Sequence, residues 1–167
     1  QVEALAEQLT YPCLLKGVHG ARGEHAYLIH NTEQLHRRLW HYPYGELMLQ
    51  EYLPADEDYR VMVLGYQALP VMVRRKPPNG DFRTNYSLGG SFIRCELSEF
   101  PAFKPLAEQA ARALRREFTA IDIRMKGQAP VILEVNRQPD FEGFERATHF
   151  DVASEVVRFI RERVGGK

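Results

Sequence analysis

Three side chains with oxygen ligands lie at alternate positions in two neighbouring segments of the chain. Asp122 lies in the segment 119–124, and Glu134 and Asn136 lie in the segment 131–136. Both segments alternate apolar and polar residues, a pattern typical of half-buried strands. Because side chains alternate across a strand, we expect the three polar groups to share one face and the apolar ones to take the other: Ile121, Ile123, Leu133 and Val135.

The stretch 126–129 between the two segments contains a glycine and predicts a hairpin turn. If the hairpin closes on 127–129, Asp122 lies directly across from Glu134, and two facing carboxylates repel each other. A hard divalent cation would remove that repulsion, and carboxylate and amide oxygens are its preferred ligands. The pattern therefore predicts a Mg²⁺ site, which Mn²⁺ could also fill, at Asp122, Glu134 and Asn136. A solvated polar strand face is the alternative.

A second group of residues has the chemistry of phosphate binding. Lys16 ends an apolar segment and precedes a glycine-rich stretch at 17–23, whose amides could cradle phosphate oxygens. A solvated lysine before an ordinary loop explains Lys16 equally well. Arg83 lies in the long loop 76–90, where functional residues concentrate. Other potential donors are Arg60, Arg74, Arg75 and Asn85, although a solvated basic face is the favoured interpretation for Arg74, Arg75 and Lys76.

The elements that must position these residues form two groups. The first is a helix near 2–9, strands at 13–16 and 25–29, a helix at 32–40 that Asn31 and Thr32 cap, and a strand at 47–51. The second is strands at 60–64 and 68–74, a helix at 102–116, the hairpin, and a helix at 151–164. We therefore predict an α+β fold with two subdomains, 1–53 and 54–167.

The segment 50–53 connects the two predicted subdomains. Its backbone could hold an adenine ring while the acidic Asp58 takes the ribose hydroxyls. A polar linker is the favoured interpretation of this segment alone.

Composition excludes several classes of function. The 22 basic and 22 acidic residues cancel, so no global field favours a nucleic-acid or membrane partner. The six histidines form no zinc-binding spacing, and no motif indicates a nucleophilic hydrolase. Cys13 and Cys95 follow no metal or redox spacing, so we expect two buried thiols and a cytoplasmic protein. The chain begins in a helical pattern without a cap, which suggests a fragment of a longer protein.

In their joint order, these motifs resemble the ATP-grasp fold and, within it, the RimK-type carboxylate–amine ligases, which include enzymes that add glutamate or similar amino acids. The resemblance covers nearly the whole chain. The segments that carry it are 50–53 with 58–60, 81–85 with 89–90, 120–123, 133–136 and 142–148. It implies two α+β subdomains that clasp a nucleotide site between them.

The resemblance also implies a role for each candidate residue. Lys16 would bind ATP phosphates, Glu51 and Tyr52 the adenine, and Asp58 the ribose. Arg83, Thr84 and Asn85 would line the triphosphate and the acyl-phosphate site, with Arg83 and Lys16 as the catalytic pair. Asp122, Glu134 and Asn136 would ligate magnesium.

The implied activity has two steps. ATP phosphorylates a carboxylate, and the amine of an amino acid then displaces phosphate, which leaves an amide and ADP. The partners would be an amino acid and a carboxylate, either a small molecule or a protein C-terminus. The alternative is a non-catalytic ATP-grasp remnant that binds nucleotide or a partner protein. The sequence leaves open whether the chain forms a homo-oligomer.

Three features depart from the family pattern. Family members carry a further N-terminal domain, so we expect one wall of the substrate site to lie outside this chain. Ser87 and Leu88 replace a basic pair that often precedes the paired glycines. The segment 137–141 differs from the usual small-residue and glycine sequence, which leaves the acceptor substrate open.

Overall fold

The computed structural model describes residues 8, 10–17, 25–40, 47–78, 81–84 and 89–165. The chain divides into two units, Gln1–Pro54 and Ala55–Lys167. Most of the predicted helix at 2–9, and the glycine-rich stretch after position 17, lie outside the described residues.

The first unit contains a three-stranded antiparallel sheet and one described helix. Its elements are β1 (Cys13–Gly17), β2 (Ala26–Ile29), α1 (Thr32–Trp40) and β3 (Leu47–Glu51), and the strand order is β2-β1-β3. The Asn31 side chain accepts a hydrogen bond from the Gln34 amide at 2.9 Å, so the predicted helix cap is confirmed. Cys13, Leu15 and Leu35 are fully buried and join the sheet to the helix.

The second unit is built on a five-stranded antiparallel sheet with the order β6-β5-β4-β7-β8. Its strands are β4 (Asp58–Leu64), β5 (Gln67–Lys76), β6 (Ser91–Glu96), β7 (Phe118–Lys126) and β8 (Ala129–Asn136). Its helices are α2 (Phe103–Ala113), α3 (Glu142–Thr148) and α4 (Val152–Gly165), with a short 3₁₀ turn at Leu97–Glu99. The strand β6 and the helix α3 were not predicted from the sequence.

One face of this sheet is apolar and packs against α2. Val61 and Val63 of β4 and Ile121 and Ile123 of β7 alternate along their strands and are fully buried here with Phe103 of the helix. This face is the main hydrophobic core of the unit.

The opposite face is divided into an apolar part and a charged part. Met62, Val73 and Ala120 form a second core with Phe144 of α3 and Val152 of α4. Further along the same face, the strand register pairs oppositely charged residues: Asp58 with Arg75, and Arg60 with Asp122. The charged part of this face, called here the charged floor, comprises Asp58, Arg60, Arg75, Asp122 and Arg124.

The β7–β8 hairpin has the predicted pairing of Asp122 with Glu134 but a different turn. Lys126 and Ala129 close the turn, which makes it one residue shorter than predicted. A register shift between Asp122 and Ile123 compensates for the shorter turn and restores the pairing. That predicted pairing is confirmed. The prediction that Leu133 takes the core face is wrong. The register shift instead pairs Ile132 with Ile123, and it is Ile132 that packs against the core.

Of the two cysteines, Cys13 is buried as predicted, whereas Cys95 is only partly buried because it lies on the edge strand β6. Burial raises the pKa of both thiols.

No helix in the described part of the chain is long and apolar enough to cross a membrane.

Candidate functional site

The charged floor is held together by Asp122. Arg60 donates to both oxygens of this carboxylate, from Nε to Oδ1 at 2.9 Å and from Nη2 to Oδ2 at 2.9 Å. Arg75 Nη2 lies 3.0 Å from Oδ2. Asp122 is only 6% exposed, so these charge-assisted contacts occur away from bulk water, where they are strongest.

Asp58 is the second acidic centre of the floor. Arg75 Nε donates to its Oδ1 at 2.6 Å, and the Thr84 hydroxyl donates to its Oδ2 at 2.7 Å. Arg124 Nη2 lies farther away, 3.4 Å from Oδ2. Arg75 therefore bridges the two buried carboxylates, Asp58 and Asp122.

The ionisation of Asp122 follows from these neighbours. Burial by itself would raise the pKa of the carboxyl, but Arg60 and Arg75 hold that pKa well below its ordinary value. Burial would likewise lower the pKa of Arg60, and Asp122 raises it instead. Asp122 is therefore a permanent carboxylate at any physiological pH.

These contacts correct the electrostatic argument made from the sequence. Asp122 does face Glu134, but two guanidinium groups already neutralise it. Repulsion between the two carboxylates therefore gives no support for a cation at this position. Support for a metal site comes from the donor atoms.

The donor set fits Mg²⁺. Glu134 is exposed and presents a carboxylate on the same face as Asp122. Asn136 donates from Nδ2 to the Ala120 carbonyl at 3.3 Å, and its backbone carbonyl accepts from the Thr119 hydroxyl at 2.7 Å. The bond from Nδ2 orients the side-chain amide, whose Oδ1 is the atom that could serve as a ligand. One or two carboxylates with further oxygens are the usual protein ligands of magnesium.

Within the described ranges, no group of three His, Cys, Asp or Glu side chains could hold a metal ion. The predicted set contains two carboxylates and one amide.

Arg83 lies in the described segment 81–84 and is held by Asp81. The carboxylate accepts from the Arg83 amide at 2.9 Å, from Nε at 3.0 Å and from Nη2 at 2.8 Å. These bonds to Arg83 lower the pKa of Asp81. The Arg83 guanidinium also lies 5.8 Å from the centre of the Phe82 ring, so several contacts fix its direction.

Two further residues with predicted nucleotide roles are almost fully buried. Asp58 is 3% exposed, and its oxygens accept bonds from Arg75 and from the Thr84 hydroxyl. Thr84 is 6% exposed. The solvated position predicted for Arg75 is wrong, because this side chain is 4% exposed.

The remaining predicted residues lie elsewhere. Lys16 is half-buried in β1, where it pairs with Ala26 and Met48 across the sheet of the first unit. Glu51 ends β3 and Tyr52 follows it, with Glu51 exposed and Tyr52 half-buried. Asn85 lies outside the described residues. Of the predicted residues, Asp58 and Asp122 belong to the charged floor, and Thr84 is bonded to Asp58. Glu134 and Asn136 lie on the strand beside the floor. The first unit contains the others that are described: Lys16, Glu51 and Tyr52.

The buried positions of Arg75 and Arg124 were not predicted from the sequence, although Arg75 was named as a potential donor. Strand parity does not distinguish Arg75 from Arg74, because Arg75 is in phase with the buried Val73 and Arg74 with the buried Met72. Arg124 shares its strand parity with Asp122, which places both on the same face of β7.

Comparisons with known proteins agree on one family. A family model described as RimK-like ATP-grasp domain matches residues 1–160. The probable alpha-L-glutamate ligase 2 of Shewanella amazonensis is 36% identical over 125 residues, which cover 74% of this chain and 40% of that protein. The ribosomal protein bS6–L-glutamate ligase of Escherichia coli is 31% identical over 118 residues, 70% of this chain and 38% of the ligase.

A structural comparison gives the same fold. The ATP-grasp ligase PsnB, solved with a phosphomimetic variant of its minimal precursor, Mg and ADP, superposes with a TM-score of 0.65 at 22% identity. The match covers 95% of this chain and 49% of PsnB. The chain spans about two fifths of the length of the two glutamate ligases and about half of PsnB. The α+β fold predicted from the sequence is confirmed, and the chain belongs to the RimK-like ATP-grasp family.

Proposed function

We propose that this chain is the nucleotide- and metal-binding part of an ATP-dependent ligase that joins a carboxylate to the amine of an amino acid. The observation that carries the proposal is the placement of Asp122, Glu134 and Asn136 on one sheet face, beside the two arginines that bind Asp122. Family membership supports it, because ligases of this family share that fold.

Three residues would hold Mg²⁺: Asp122, Glu134 and Asn136. When bound there, the cation would supply charge neutralisation for the phosphate oxygens of ATP. Arg60 and Arg75 keep Asp122 ionised and hold it on this face of the sheet.

The phosphates and the base of ATP would be bound by other residues. Lys16 and Arg83 are proposed to bind the phosphates, with Thr84 and Asn85 beside them. Glu51 and Tyr52 are proposed to bind the adenine, and Asp58 the ribose. Lys16 and Arg83 are also the proposed catalytic residues, because negative charge spreads over the phosphoryl oxygens during transfer and fixed cations stabilise it.

The proposed chemistry requires no protein nucleophile. A substrate carboxylate oxygen attacks the γ-phosphorus of ATP, the bond to the β–γ bridging oxygen breaks, and ADP leaves. The amine then attacks the carbonyl carbon of the acyl phosphate, phosphate leaves, and the nitrogen gives up a proton to form the amide. The protein groups position the reactants and neutralise charge.

The names of the relatives suggest which substrates to test first. Two of them are named as glutamate ligases, one of these for a ribosomal protein. We therefore propose L-glutamate as the first amine and a peptide or protein C-terminal carboxylate as the first acceptor, in the cytoplasm where ATP is supplied.

The proposal is tested by ADP release from ATP and Mg²⁺ over a panel of amino acids and peptide acceptors, with the complete gene product that contains this chain. We expect release that depends on both an amine and a carboxylate, and its loss in Glu134→Gln. ATP binding without release across the panel would instead indicate a nucleotide-binding module without ligase activity.

A further inference from the structure

One face of the helix α4 attaches it to the second unit. Val152 and Val156 pack into the second core, and Phe159 covers the β4–β5 turn so closely that a Cβ at Gly65 would lie 2.5 Å from its ring. Near the end of the helix, Arg163 donates to the glutamate that precedes β7 at 2.6 Å. These helix positions recur with spacings of four, three and four residues, so the attached face runs along nearly the whole helix.

A second row of apolar side chains lies one position further around the same helix and is exposed. It consists of Ala153, Val157, Ile160 and Val164, again with spacings of four, three and four residues. The exposed fraction is 53% for Val157, 53% for Ile160 and 69% for Val164. This row, called here the α4 stripe, has the spacing of the a and d positions of a coiled coil, so the partner that fits it is another helix.

The charges on one side of the α4 stripe indicate which helix fits it. Arg161 is exposed, and its side chain has no hydrogen bond or ion pair with the other residues that the structure describes. Ser154 lies seven positions earlier, on the same side of the stripe. The Asp151 carboxylate accepts from its amide at 2.8 Å and from its hydroxyl at 2.7 Å, so the acidic group is held there. This side is acidic at one end and basic at the other, and α4 in the reverse direction complements it.

We infer that the α4 stripe is a contact between two copies of this chain, whose α4 helices pack antiparallel. In this arrangement Val157 of each copy lies opposite Ile160 of the other, and the small Ala153 lies opposite the larger Val164. A two-fold axis relates the two halves of the contact, as in most homodimers.

The direction of packing follows from the charges. In an antiparallel pair, Arg161 of each copy lies near Asp151 of the other, which gives two ion pairs at the edge of the contact. A parallel pair would place the two Asp151 carboxylates at the same end and the two Arg161 side chains at the other. Like charges at an interface oppose association, so the antiparallel direction is favoured.

The contact is small. Stable protein–protein interfaces bury at least about 1,200 Å² in total, and a seam along one helix of about 20 Å buries less. We therefore expect a weak dimer, with a dissociation constant of about 10 to 100 µM. The inference is independent of the proposed function, because the α4 stripe shares no residue with the charged floor or with the proposed nucleotide site.

Sedimentation of the complete gene product that contains this chain tests the contact, over concentrations from about 1 to 200 µM. We expect a reversible equilibrium between monomer and dimer. Ile160→Glu should weaken the dimer at least about tenfold, because it places two charges at the centre of the contact. Leu114→Glu is the matched control: Leu114 is also exposed, at 55%, but lies at the end of α2, so this variant should dimerise like the wild type. If Ile160→Glu does not fold, Val157→Glu provides the same comparison.

Disulfide formation under mild oxidation tests the direction. A mixture of the Ala153→Cys and Val164→Cys proteins should form the disulfide between positions 153 and 164 at least about tenfold more than either protein alone forms its symmetric disulfide, because only the mixed pair lies close enough. Peptide mass analysis identifies the linked positions. A monomer at every concentration, which would assign the stripe to another occupant, would overturn the inference. A dimer that Ile160→Glu leaves intact, or equal disulfide formation by the mixture and by the separate variants, would overturn it as well.

Discussion

Asp122→Asn is expected to lower the free energy of unfolding by about 3 to 5 kcal/mol, the usual cost of breaking a buried ion pair. Asp122 accepts bonds from both Arg60 and Arg75. Asp122 and Arg75 are buried, and the Arg60 side chain is 14% exposed. Without the carboxylate, two guanidinium groups would remain close together with one negative partner fewer. The loss should appear as a lower midpoint in urea denaturation.

Glu134→Gln is the matched control for this prediction. It removes one carboxylate charge on the neighbouring strand, directly across from Asp122, but from an exposed side chain. We expect its stability to stay within about 0.5 kcal/mol of the wild type, as for surface substitutions in general. Equal losses of stability in the two variants would show that the arginines do not depend on Asp122 as described.

Arg83→Ala is expected to lower kcat for ADP release by about 100- to 1000-fold, the usual cost of removing one preorganised donor to a developing charge. The fold should be preserved, because Arg83 is partly exposed and its ion-pair partner Asp81 is two residues away on the same segment. The measurement is the rate of ADP release at saturating ATP, together with the melting temperature of the variant.

Arg158→Ala provides the comparison for Arg83→Ala. Arg158 is an exposed arginine of α4 that pairs with Glu155 of the same helix, and it lies outside the charged floor. It should retain the wild-type kcat. Comparable losses in both variants would mean that the rate depends on net positive charge in general and not on Arg83.

The sequence predicted those parts of the fold that have a strong local period. The alternation around Asp122 and Glu134 predicted the hairpin and the pairing of these two residues. The capping residue Asn31 predicted the start of α1. Prediction failed for β6, because this strand alternates weakly and is identified only by pairing with β5. The helix α3 is short, and its place depends on Phe144 packing into the second core.

The sequence predicted the placement of Asp122 opposite Glu134 but not the charges around them. The two carboxylates were expected to repel each other, whereas Asp122 is neutralised by arginines. Arg60 and Arg75 are 62 and 47 positions from Asp122 in the chain, and only the strand order β5-β4-β7 brings them to it. Non-local pairing of this kind has no period in the sequence, so the contacts of Arg75 with Asp58 and Asp122 could be found only in the structure.

These contacts change the interpretation of the three predicted metal ligands, Asp122, Glu134 and Asn136. Asp122 is a carboxylate that two arginines hold ionised and oriented, while Glu134 is exposed and Asn136 is fixed through its amide nitrogen. We therefore expect removal of the Glu134 charge to weaken metal binding without affecting the fold.

The most direct test is calorimetric titration of the chain with ATP, with and without Mg²⁺, for the wild type and for Glu134→Gln. We expect the wild type to bind ATP more tightly when Mg²⁺ is present. The variant should lose at least about tenfold of that Mg²⁺-dependent affinity, equivalent to about 1.4 kcal/mol, while keeping its thermal stability. Equal binding by the two proteins in Mg²⁺, or wild-type binding that ignores the metal, would contradict a magnesium–nucleotide site at Asp122, Glu134 and Asn136.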